Sequence, residues 1–75
     1  MERYKNLSRQ SGVTHYELGD DYIRLRFING SEYIYNDSLP GGDVVDVMKE
    51  LAVRGRGLST FVAQEVRERY YRKVR

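Results

Sequence analysis

Five cations near the end of the chain have the type and spacing to meet an anionic polymer: Arg54, Arg56, Arg67, Lys73 and Arg75. Residues 54–75 carry seven Lys/Arg and two Asp/Glu, a net of +5. Residues 1–53 carry six and nine, a net of −3. Guanidinium and ammonium groups strung along one segment neutralise phosphates and release counterions. Glu65 and Glu68 each stand four residues before an arginine, Arg69 and Arg72, the orientation that favours a helical ion pair. Those two arginines are therefore partly accounted for locally, and the other five cations are left for a partner. The competing reading is a solvated helix with favourable charge at its C-terminal end. Tyr22 and Arg24 form a second candidate. They alternate along a strand, and aromatic and Arg groups on an open sheet can stack single-stranded bases.

Other chemistries find little support. His15 is the single histidine and lacks the partners a general base needs. Asp20-Asp21 lies in a turn without the ligand spacing of a calcium loop. Gly55-Arg56-Gly57 lacks the Gly-Lys-Ser/Thr ending of a phosphate loop, though its N–H groups and Arg charge could face an anion at a helix start. No cysteine is present, so no disulfide or thiolate metal site forms. The expectation is no enzyme, no cofactor and no metal.

These residues must be held by a scaffold, and its centre is Ile23 to Tyr35. Apolar and polar residues alternate there on both sides of Asn29-Gly30, the pattern of a hairpin. A two-residue turn would set Phe27 opposite Glu32. A three-residue loop, Ile28-Asn29-Gly30, sets Ile23, Leu25 and Phe27 opposite Tyr35, Tyr33 and Ser31 on one apolar face. It also pairs Arg26 with Glu32 on the other. Opposite charges across strands contribute roughly 0.2–1 kcal/mol. Because a one-residue slip inverts every side chain, the second register is expected.

Upstream, Val13 to Glu17 reads as a strand with Val13, His15 and Glu17 on one side. Residues 1–10 show no period and are expected to form a flexible arm that Tyr4 or Leu7 could tie down. Downstream, Pro40-Gly41-Gly42 ends the sheet. Asp43 is the expected N-cap of a helix whose stripe is Val44, Val47, Met48, Leu51 and Ala52, stopped by Gly55. Ser59 is expected to cap a second helix burying Val62, Ala63, Val66, Tyr70 and Val74. The expected fold is α+β: a three-stranded antiparallel meander sheet followed by two helices packed on one face. Its expected core is Ile23, Leu25, Phe27, Tyr33, Val47, Leu51, Val62 and Val66.

The 75 residues make one small domain. No apolar run reaches the roughly 18 residues of a membrane span. The N-terminus has no apolar core of a signal peptide. A soluble, cytoplasmic protein is expected.

The order of these pieces resembles the KTSC domain, a short module found at the C-terminus of some lysyl-tRNA synthetases and as stand-alone bacterial and phage proteins. Tyr16-Glu17 is followed by five residues, then by Ile23, Leu25 and Phe27. Gly30, Tyr33, Tyr35 and Leu39-Pro40 come next. A helix, a basic Gly loop and Val66-Arg67-Glu68-Arg69-Tyr70 complete the pattern, which covers roughly residues 11–70 and sets residues 11–75 as a single KTSC-like domain. The synthetase context of the resemblance implies RNA contact. Three classes stand. The first is a binding module for RNA or DNA phosphates. The second is a protein-interaction module or a small phage-type inhibitor of a host factor, using an open sheet edge or the outer face for a host partner or, as a homo-oligomer, a second copy of itself. The third is an enzyme. The first is preferred.

Overall fold

In the computed structural model, which describes residues 1–9 and 11–75, the chain turns at Ile28-Asn29-Gly30 as the three-residue loop requires. Phe27 donates its N–H to Ser31 O at 2.8 Å, and Gly30 N–H returns to Phe27 O at 2.8 Å. Gly30 takes φ 88°, open to glycine at little cost. Strands β3 (Tyr22–Phe27) and β4 (Glu32–Asn36) follow the expected register: Ile23 faces Tyr35, Leu25 faces Tyr33, and Arg26 faces Glu32.

The fold is α+β, and its antiparallel sheet has five strands rather than three, in the order β1-β2-β3-β4-β5. The first extra strand comes from the expected arm. Glu2–Arg3 forms β1 and pairs with β2 (Val13–Leu18). Tyr4 is buried, donates its N–H to Thr14 O at 2.9 Å, and accepts Leu58 N–H on its hydroxyl at 3.3 Å. Leu7, the other proposed anchor, holds the arm through its backbone: its N–H donates to Gly55 O at 2.8 Å while its side chain is 54% exposed. Position 10 of the expected arm lies outside the described residues.

Strand β2 does not keep the expected alternation. Val13 pairs with Phe27, but His15 pairs with Arg26, so the register shifts around Thr14. This bulge moves the following residues to the opposite phase. Val13 and Tyr16 therefore share the covered face, while His15 and Glu17 point to the open one.

Helix α1 runs Gly42–Arg54, with Gly41 rather than Asp43 at the N-cap. Asp43 instead supplies negative charge in the first turn. The buried stripe is Val45, Met48 and Ala52, with Val44 and Leu51 half-buried. Val47, expected in the core, is 40% exposed. Three valines within one turn fit more than one helical stripe, and packing on β3 and β4 selects among them.

Gly55 ends α1 at φ 79°, its N–H reaching Leu51 O at 2.9 Å. A Cβ there would stand 2.7 Å from Lys5 Cβ. Gly55→Ala is expected to lose about 1–3 kcal/mol, from left-handed backbone strain and this clash. Gly12→Ala, which meets nothing within 4 Å, is the control. Urea denaturation of both variants checks this, and equal midpoints would refute it.

The second helix differs most from expectation. Helix α2 is Leu58–Phe61, capped at Gly57, not Ser59. It continues as a π-helical segment, Val62–Val66, and stops at Arg67. The Ser59 hydroxyl instead accepts Gly12 N–H at 3.4 Å. After Arg67 the chain reverses and Arg72–Lys73 forms β5 beside β4. Tyr71 N–H donates to Ile34 O, and Val74 N–H to Glu32 O, each at 2.8 Å. The basic C-terminal helix expected from sequence is therefore absent, and so are its two ion pairs. Arg69 donates to the carbonyls of Glu65 and Val66 instead.

The helices cover one sheet face. Between the layers lie Tyr4, Val13, Ile23, Leu25, Tyr35, Val45, Met48, Ala52, Leu58, Val62 and Val66. Phe27, Tyr33 and Leu51, expected inside, are half-buried against this cluster. Burial raises the Tyr35 phenol well above its ordinary value, so it stays neutral there. Among the described residues no helix is long and apolar enough to cross a membrane.

Candidate nucleic-acid interface

Residues directly opposite on neighbouring strands share a face. Applied across the sheet, this places Arg3, His15, Arg26 and Glu32 in one row of the open face. Glu17, Arg24, Ile34 and Arg72 form the next row, and Tyr22 with Asn36 a third. Arg75 reaches the same face from the C-terminus, its Nη1 3.8 Å from Glu32 Oε2. Asp21 lines the same hollow of this face as Glu17, Tyr22 and Arg24, so five arginines meet three carboxylates, a net of +2.

Glu32 organises the centre of this face. It is 1% exposed, the one buried charged side chain among the described residues. Arg24 donates to Oε1 through Nε at 2.9 Å and Nη2 at 2.6 Å. Arg26 donates Nε to Oε2 at 2.9 Å. These hydrogen bonds, from Arg24 first and then Arg26, outweigh desolvation and hold the carboxyl below its ordinary 4.5. A guanidinium has five N–H donors, so each arginine keeps donors for a ligand after binding Glu32.

The lowered acidity constant sets a sign. Its contribution to stability is complete above the ordinary value and is lost as pH falls through the lowered native value. Glu32→Gln is expected to melt below the parent at neutral pH. The gap should close as pH falls below about 4.5. Thermal melts followed by circular dichroism between neutral and about pH 3 check this. A gap constant over that range would remove the ion-pair assignment.

The residues singled out from sequence divide among several places. Arg24 lies at the centre of the open face and Arg75 at its edge. Tyr22 is on the same face, but its hydroxyl donates to Glu17 Oε2 at 2.7 Å, and its ring lies against Gly19, leaving no room for a Cβ. That hydrogen bond, then burial, raises its phenol above 10.0. Arg54 is exposed at the end of α1 and pairs with Glu50 at 3.3 Å. Arg56 is exposed in the following loop. Arg67 is exposed on the helical side, beside the β3–β4 loop. Lys73 is on β5 opposite Tyr33, with Nζ 5.7 Å from that ring. The five C-terminal cations thus do not form one surface.

Sequence reasoning did not place Arg3, Arg26 and Arg72 in the site. Arg26 was legible as a partner of Glu32, not as part of a basic field. Helical spacing assigns Arg72 to Glu68. Nothing in residues 1–9 announced that Arg3 joins the sheet. The Asp20-Asp21 turn is pinned by Lys49, whose Nζ donates to Gly19 O at 2.6 Å and Asp20 O at 3.0 Å. An ammonium therefore already stands at that turn.

Compared with protein-family models, with the curated proteins and with the solved structures, the chain matches none.

Proposed function

We propose that this chain is a small non-catalytic module that binds single-stranded RNA weakly, through its phosphates, across the open face of the sheet. The observation that carries this reading is the field of five arginines on that face, two of them fixed by buried Glu32. Fixing a guanidinium in advance lowers the ordering cost of each phosphate contact. An open sheet suits a single strand, whose backbone can lie along it. The resemblance to the KTSC domain supports RNA over DNA. The basic contact surface proposed here is the sheet face, in place of a C-terminal helix.

Titration of labelled single-stranded RNA, with duplex RNA and single-stranded DNA alongside, tests the proposal over about 20–200 mM salt. Affinity should fall with salt at a slope of about −0.7 for each phosphate contacted on a single strand. It should also vary little with sequence. No binding at the lowest salt would overturn this reading and leave a protein partner as the better account.

A further inference from the structure

The helical side of the molecule holds a cleft of about 410 Å³ beside the β3–β4 loop. Phe27, Tyr33, Tyr35 and Tyr70 line it, together with Val62 and Arg67. The Phe27 and Tyr33 rings meet edge-on at 5.6 Å, and Tyr33 and Tyr70 lie 4.6 Å apart at 53°. Lys73 Nζ stands 5.7 Å from the Tyr33 centroid. The volume lies within the roughly 300–1,000 Å³ of small-molecule sites.

The backbone around the cleft is unusual. Arg67 sits at φ 54° and ψ −121°, with its N–H on Val62 O at 2.5 Å. The π-helical segment Val62–Val66 leads directly into it. Both features concentrate at functional sites, because strain persists only where surrounding structure imposes it. Here they turn the chain so that Arg67 borders an aromatic cleft rather than continuing a helix.

We propose that this cleft takes one nucleotide, its base stacked on the ring surfaces of Phe27 and Tyr70 and its phosphate held by Arg67 and Lys73. The chemistry on both sides fits: apolar rings for a planar base, cations for an anion. Glu68 also lines the cleft and is the acceptor for an exocyclic amino group of the base. Arg72 and Lys73 are neighbours on edge strand β5, facing opposite sides of the sheet. A strand leaving the open face can therefore cross this edge and place one base in the cleft. This rests on the RNA-binding reading but is tested apart from it.

The probe is adenosine 5′-monophosphate, with inorganic phosphate as the comparison, followed by NMR at the Phe27 and Tyr70 ring protons. Ring shifts that saturate with the nucleotide, and not with phosphate, are expected. Arg67→Gly relieves the positive φ, so the variant should melt no lower than the parent while binding the nucleotide at least tenfold more weakly. Arg3→Glu with Arg72→Glu should lose RNA strands yet keep the nucleotide shifts. An absence of ring shifts at millimolar nucleotide, or equal shifts with phosphate alone, would overturn the cleft whether or not RNA binds the sheet. Unchanged affinity in Arg67→Gly would remove that residue's role and overturn the proposal as stated.

Discussion

Leu25→Ala is expected to bring this domain close to unfolding. Leu25 is fully buried at the centre of β3, between Tyr16 on β2 and Tyr33 on β4. Truncating a buried leucine removes its transfer energy and leaves a cavity, about 2–5 kcal/mol together. A domain of this size holds about 4–11 kcal/mol in total, at roughly 0.05–0.15 kcal/mol per residue. The loss is thus a large share of the whole. Val47→Ala on α1 is the matched control. Val47 is 40% exposed, so its replacement should stay within about 0.5 kcal/mol, with a small gain from helix propensity. Urea denaturation followed by circular dichroism separates the two. If Val47→Ala cost as much as Leu25→Ala, α1 would be packed through a different stripe.

Reversing charge at Arg3 and Arg72 together is expected to abolish RNA binding at physiological salt. Both side chains are exposed on the open face, and neither has a hydrogen bond to Glu32. They sit on opposite edge strands, so the double variant turns the net +2 of that face to −2. Helical spacing alone assigns Arg72 to Glu68 and makes it a minor contributor. On β5 it faces the open side of the sheet, and the proposed RNA contact makes it a principal one. At low salt, any remaining affinity should show a slope shallower by roughly 1.4, two contacts at about 0.7 each. Arg54→Glu with Arg56→Glu changes total charge equally, away from the sheet, and should weaken binding far less. Fluorescence anisotropy with a labelled strand distinguishes them. Equal losses in the two double variants would mean that total charge, not the sheet face, drives association.

The sequence by itself determined the parts of this fold that depend on neighbours in the chain. Asn29-Gly30 permits the loop, and the alternation from Ile23 to Tyr35 then allows only one register that buries its apolar set. Gly55 stops α1 because its φ is one that side chains resist. These choices are settled within a few residues, so pattern and turn chemistry reveal them.

The ends were decided by tertiary structure. Residues 64–73 have the acid–base spacing of a helix, but each such pair contributes only about 0.2–0.5 kcal/mol. Against this stood the unpaired edge of β4, whose backbone groups need partners, and the Tyr33 ring, on which Tyr70 packs. Those contacts lie tens of residues away in sequence, and together they outweigh the local preference. The arm follows the same logic, since β1 pairs with an edge of β2 that sequence could not identify as free. The basic face joins Arg3, Arg24 and Arg26 to Arg72 and Arg75. Composition could reveal the charge, but only strand pairing could bring residues from both termini onto one surface.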